Sequence, residues 1–352
     1  MPLSIRPGKP RFAAAIACGL AVLAGCGGGR SGPQLVDEAI SWPLPDGGGQ
    51  LAGAEKRRAD AARGAAVLFF MGATTPSSVA FDLPVPGYSW MEHLAQQGYR
   101  VFRWDPTGFG DSSDPPELDQ PPNRNHPSTR TVVVEPEAEI VADDVAQRSG
   151  DDALHVICWS AGCAPALAFA ATRPERVESL VLYAATFGTL SPLGLPPVDP
   201  DTAITNFVGA YRLTSRDDVA KRWDEMIPVD DKTVYREAAV FDEWVNGFLA
   251  SDATSAERDP ASVRVPNGML ADSYDLILGH PPYHAAGVTA RALAVRGADD
   301  PETSARGSQQ LLDSLGSTST RYVEIAAGTH YVEVERTHLE LWDAVDGFLA
   351  AD

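Results

Sequence analysis

Ala153-Leu154-His155-Val156-Ile157-Cys158-Trp159-Ser160-Ala161-Gly162 is the stretch that decides the architecture. A short apolar segment meets one serine among small residues, and a helix-forming run, Ala164 to Ala171, follows. This is the layout of a strand that breaks sharply into a helix with the serine hydroxyl projected at the bend. Ala161, Gly162 and Ala164 are small enough to let the helix approach the strand, whereas Cys158 stands where such a bend usually has glycine. Taken alone, the segment leaves two readings open, because a serine between strand and helix also serves as an N-cap.

Later segments separate those readings. Ala292-Leu293-Ala294-Val295-Arg296 reads as a buried strand running into Gly297-Ala298-Asp299-Asp300-Pro301. Tyr322-Val323-Glu324-Ile325 reads as another, running into Ala326-Ala327-Gly328-Thr329-His330. Serine, acid and histidine then follow in order, each just past the end of an expected strand. The chemistry calls for these types: a hydroxyl needs a neutral imidazole to take its proton, and the imidazole needs a carboxylate behind it. Asp299 and Asp300 both qualify as the acid on position, and either would also suit a turn before Pro301. His338 reads as a surface residue at the start of the last helix, and His93 as a helix residue.

Length and charge narrow the rest. The 352 residues, 44% apolar, are enough for one large core. A formal charge of -20 argues against a nucleic-acid partner. The sequence contains no Gly-rich phosphate loop, no internal repeat and no cluster with metal-ligand spacing. Expected strands cover Leu35–Trp42, Gln50–Glu55, Ala65–Phe70, Tyr99–Trp104 and Val177–Tyr183, and expected helices Ser89–Gln97 and Glu135–Gln147. Residues 115–129 read as a surface excursion. The alternation predicts an α/β fold with a doubly wound, mostly parallel sheet. The core is expected in 35–184 and 291–352. The interval 185–290 is too long for one crossover and reads as a helical cap, with helical patterns at 202–211, 216–226 and 234–249.

The N-terminus carries a separate message. Arg6, Lys9 and Arg11 precede an apolar run, Phe12 to Ala24, that is short for a membrane span. It closes with Leu23-Ala24-Gly25-Cys26, which resembles a bacterial lipoprotein signal and implies cleavage after residue 25 and lipidation of Cys26. Residues 26–34 read as a flexible Gly-rich tether. Loss of residues 1–25 removes three basic and no acidic residues, which takes the charge from -20 to -23. The expected membrane contact is therefore the lipid alone, in the cell envelope, with the acidic body standing off. Cys158 and Cys163 are expected as buried free thiols, since a bridge across so tight a bend reads as geometrically unfavourable.

Taken together, these segments resemble the α/β-hydrolase superfamily over roughly residues 35 to 350. Met71-Gly72-Ala73-Thr74, Ala80-Phe81-Asp82-Leu83-Pro84, Gly87-Tyr88-Ser89-Trp90-Met91, Asp105-Pro106-Thr107-Gly108-Phe109-Gly110 and Gly328-Thr329-His330 are similar to stretches of poorly characterised bacterial members. The resemblance implies Asp300 as the acid, three positions after Gly297, and the backbone N–H groups of Ala73 and Ala161 as oxyanion donors. Met71 stands where most relatives have histidine. Serine at position 160, in place of aspartate, argues against epoxide hydrolases and haloalkane dehalogenases. The implied activity is cofactor-free hydrolysis of a small ester, thioester or amide, foremost a carboxylic ester through Ser160, His330 and Asp300. A proline iminopeptidase-like aminopeptidase would need cap acids, for which Asp217, Asp218, Asp224 and Glu225 are the candidates. The third expectation is a surface binding protein that keeps the fold without catalysis.

Overall fold

Ala66–Phe70 (β3) and Leu154–Trp159 (β5) are buried along their whole length, which only strands covered on both faces can be. The computed structural model describes residues 33–60, 64–187 and 209–351. In it, β3 and β5 lie side by side and parallel at the centre of an eight-stranded sheet. The other strands are Leu35–Pro43 (β1), Gln50–Arg58 (β2), Arg100–Asp105 (β4), Val177–Tyr183 (β6), Arg291–Gly297 (β9) and Thr320–Ile325 (β10). Their order is β1-β2-β4-β3-β5-β6-β9-β10. β2 runs antiparallel to both β1 and β4, and every other pair is parallel. The expected doubly wound, mostly parallel sheet is the one observed.

Two helix pairs cover it. Thr131–Ser149 (α3) packs on Cys163–Thr172 (α4). Trp90–Gln97 (α2) meets His338–Leu349 (α9) through stacked Trp90 and Trp342 and through His93 Nε2, 2.6 Å from Asp346. Ser77–Phe81 (α1) follows β3, and Ala305–Ser314 (α8), which the sequence pattern did not reveal, connects β9 to β10. His338 is not on the surface as expected. It is buried at the start of α9, with its ring nitrogens 2.6 Å from the Glu335 carbonyl and 3.0 Å from the Gly87 carbonyl.

The segment above the sheet is not purely helical. Tyr211–Ser215 (β7) and Ser262–Pro266 (β8) pair antiparallel beside Arg216–Met226 (α5), Ala238–Ala250 (α6) and Gly268–Ile277 (α7). Of the helix expected over 202–211, residues 202–208 lie outside the described residues and Tyr211 opens β7. The strand itself was not legible in the sequence, because β7 is half-exposed and gains its ladder only by meeting β8, far away in sequence. The expected signal (residues 1–25), the expected lipidation site Cys26 and residues 27–32 of the expected tether also lie outside the described residues.

One contact fastens this segment to the core. The expected start of α3 was Glu135, but the helix begins at Thr131 because Asp272 of α7 accepts from the Thr131 N–H at 2.6 Å and its hydroxyl at 2.7 Å. The same carboxylate meets the Arg130 guanidinium, which also reaches Asp275. An acid from a distant helix thus supplies the cap that local residues do not. Asp272→Ala leaves the start of α3 uncapped and Arg130 with Asp275 alone. It should lower stability by about 3 kcal/mol in urea unfolding, and an unchanged midpoint would show that the contact contributes nothing.

Candidate active site

Ser160 has φ +55°, a left-handed conformation that a non-glycine residue adopts only when its surroundings impose it. The surroundings are close. A Cβ on Gly162 would overlap the Met71 carbonyl oxygen, so only glycine lets the loop after β3 lie against the bend. A Cβ on Gly72 would sit 3.5 Å from the Ser160 Cβ, which places the Gly72–Ala73 backbone beside the serine. Cys158 and Cys163 are joined by a disulfide with Cα atoms 4.9 Å apart, not the two free thiols expected. The bend that seemed to forbid the bridge brings the end of β5 back beside the start of α4, within reach of one.

The acid and histidine loops meet just as tightly. A Cβ on Gly297 would overlap the Gly328 carbonyl oxygen, and the Asp299 N–H donates to that same oxygen at 2.9 Å. His330 Nε2 then lies 2.8 Å from Ser160 Oγ, and His330 Nδ1 2.9 Å from Asp300 Oδ2. Asp300 also accepts from the Glu302 N–H at 2.8 Å and the Thr303 hydroxyl at 2.5 Å. Asp299 points elsewhere, accepting from the Tyr235 hydroxyl at 2.6 Å. Because Asp300 accepts a hydrogen bond from the Nδ1–H, this network leaves the Nε2 lone pair toward Ser160.

Further buried groups hold the histidine loop. The Glu335 carboxylate accepts from the Thr329 N–H at 2.8 Å, the Thr329 hydroxyl at 2.6 Å and Trp223 Nε1 at 2.8 Å. The His330 carbonyl accepts from Trp159 Nε1 at 3.1 Å and the Tyr183 hydroxyl at 2.9 Å. Glu333 lies against that hydroxyl, and burial pushes its carboxyl up to about 8. At pH 7 it is therefore mostly protonated and can donate to Tyr183, which in turn donates to His330.

Position in the chain pointed to Ser160, His330 and either Asp299 or Asp300, the resemblance selected Asp300, and the structure brings Ser160, Asp300 and His330 together. The proposed cap acids do not join them. Asp217 is exposed, Asp218 caps α5 through Ser215, Asp224 pairs with Arg236 at 2.6 Å and Glu225 with Lys221 at 3.9 Å. The acid beside the imidazole is instead Glu302, whose Oε2 lies 3.5 Å from His330 Nε2. Its position two residues after Asp300 was the available signal. Burial disfavours charge on both members of the His330–Asp300 pair. Their mutual attraction outweighs it, so Asp300 is held below the ordinary carboxylate value and His330, helped by Glu302, above the ordinary histidine value.

A base must be neutral, so activity through His330 should fall as pH drops through that raised value. In Glu302→Gln the acid limb of the kcat/KM profile should move to lower pH, because one of the charges that favours the imidazolium is gone. An unmoved limb would show that Glu302 does not act on the imidazole.

With this geometry in view, residues 66–222 match the family model described as the alpha/beta hydrolase fold. No curated protein matches. Among solved structures, the thioesterase domain from the curacin biosynthetic pathway is 15% identical with a TM-score of 0.57, covering 90% of this chain and 100% of its own. An esterase from Thermogutta terrifontis is 16% identical with a TM-score of 0.56, covering 89% and 98%. A loop variant of the haloalkane dehalogenase from Bradyrhizobium elkanii is 17% identical with a TM-score of 0.54, covering 90% and 97%. At such identities the likeness is one of fold, and it spans different chemistries. The family match over residues 66–222 and the structural likeness over the remainder agree: the chain has the α/β-hydrolase fold.

Proposed function

We propose that this chain is a serine hydrolase that cleaves a carboxylic ester through an acyl-enzyme on Ser160. The observation that carries the reading is the relay itself: a strained serine 2.8 Å from an imidazole whose other nitrogen lies 2.9 Å from a buried carboxylate. Nε2 of His330 takes the hydroxyl proton as Ser160 Oγ bonds to the acyl carbon, and Asp300 stabilises the resulting imidazolium. The backbone N–H groups of Ala73 and Ala161 are the assigned donors to the oxyanion. When the ester C–O bond breaks, His330 returns the proton to the departing alcohol. A water molecule, deprotonated by the same nitrogen, then hydrolyses the acyl-enzyme and restores Ser160.

A purified form that starts after residue 26 should turn over p-nitrophenyl esters. Ser160→Ala should lose on the order of 10³-fold or more in kcat, and with it all labelling by a fluorophosphonate probe. Equal rates for the two proteins across short and medium acyl chains would reject the esterase. Failure of the probe to label the wild type would favour a binding protein on a hydrolase fold. Turnover of arylamides only when their amino terminus is free would favour the aminopeptidase.

We also propose that the enzyme works outside the cytoplasm, lipid-anchored at Cys26. The basic start, short apolar core and Leu23-Ala24-Gly25-Cys26 box support this, and a Cys158–Cys163 disulfide suits an oxidising compartment. In a bacterial host, wild-type protein should incorporate labelled palmitate and sediment with membranes. Cys26→Ser should do neither, and membrane association that persists without label would refute the anchor.

A further inference from the structure

Two arginines reach the reaction centre from the segment above the sheet. Arg212, on β7, donates from Nη2 to the Ala73 carbonyl at 3.0 Å and to Thr74 Oγ1 at 2.6 Å, so it touches the loop that carries the assigned oxyanion donor. Its Nη1 donates to Asn267 Oδ1 at 3.0 Å and to the Pro266 carbonyl at 3.3 Å. All four partners are neutral, and no carboxylate lies within ion-pair distance of Arg212 among the described residues. In a chain with 48 acidic residues against 28 basic ones, a deep arginine without an acid is conspicuous. Neutral acceptors satisfy its hydrogen bonds but leave its charge uncompensated. Burial, with the neighbouring Arg222, accordingly pulls its guanidinium down to about 9.

Arg222, on α5, donates from Nη2 to Glu302 at 2.7 Å, the carboxylate 3.5 Å from His330 Nε2. Its Nε is shut off from solvent and has no hydrogen-bond partner. A third of this side chain remains accessible to solvent. Tyr331, next to the catalytic histidine, interacts electrostatically with both arginines. Glu302 thus serves Arg222 and His330, and no described carboxylate pairs with Arg212. Asp300 does not redress the balance, because its oxygens are committed to His330, Thr303 and the Glu302 N–H.

We propose that the substrate ester carries a carboxylate that docks between Arg212 and Arg222 while its scissile carbonyl lies over Ser160. An anion there supplies the counter-charge that Arg212 lacks and an acceptor for Arg222. The same two contacts connect binding to catalysis, through Ala73 on one side and Glu302 on the other. This inference rests on the serine hydrolase reading and deepens it by naming the substrate class.

The test compares aryl esters in matched pairs. One pair sets an aryl hemiglutarate against its methyl ester, with the carboxylate on the acyl side. The other sets the acetyl ester of 4-hydroxybenzoate against that of methyl 4-hydroxybenzoate, with the carboxylate on the leaving group. In at least one pair the anionic member should have the higher kcat/KM, by about tenfold or more, and Arg222→Met should collapse that ratio. Glutarate should also inhibit neutral-ester turnover by the wild type more strongly than uncharged glutaramide, a comparison that needs no variant. Neutral esters preferred in both pairs, with glutarate no better than glutaramide, would overturn the proposal and leave the esterase intact. Absence of any turnover together with absence of fluorophosphonate labelling would instead reject the serine hydrolase reading.

Discussion

The left-handed backbone of Ser160 is the constraint on which the rest of the site depends. A β-strand and an α-helix that share an axis offer no exposed hydroxyl between them, so the chain must turn sharply at one residue. That residue is strained, and its conformation persists because packing on every side allows no other. Gly162 is bare so that the Met71 carbonyl can press against it, and Gly72 is bare beneath the Trp159 ring. The Cys158–Cys163 disulfide ties the two arms of the bend together. The departures from the usual pattern at 71 and 158 therefore sit in contacts that brace the turn.

The remaining residues of the relay are brought to Ser160 by the order of the sheet. β9 and β10 lie beyond β6 on the same side of β5, and all are parallel, so their C-terminal ends open on one rim. Glycine at 297 and 328 lets the two loops touch, which sets the spacing from Asp300 to His330. Buried acids then do two different jobs. Glu335 holds the loop by accepting hydrogen bonds, while Glu333, kept mostly protonated by burial, can donate one. The same kind of side chain serves opposite ends of a hydrogen bond because its surroundings decide its charge.

Much of this was legible before any coordinates. Strands β3, β5, β6 and β9 announce themselves as short apolar runs, because a strand covered on both faces has no polar face to hide it. Ser160, Asp300 and His330 were legible because each follows such a strand. The choice between Asp299 and Asp300 was not a matter of strand pattern, since both follow β9. The resemblance selected Asp300, three positions after Gly297, and the tertiary contacts agree, with Tyr235 taking Asp299 and His330 taking Asp300. β7 was missed because its ladder depends on β8, and α3 was placed too short because its cap comes from Asp272.

By itself, then, the sequence determined the parallel sheet, the order of serine, acid and histidine and the segment that resembles an export signal. These are local properties: burial is written as runs of apolar residues, and chain order needs no folding to be read. The tertiary structure alone decided the disulfide, the position of Glu302 beside the imidazole and the approach of Arg212 and Arg222 to the reaction centre. Those depend on distances between residues far apart in the chain or across a bend. Electrostatic balance follows from such distances and not from composition, so a chain with a formal charge of -20 still holds an arginine with no acid beside it among the described residues.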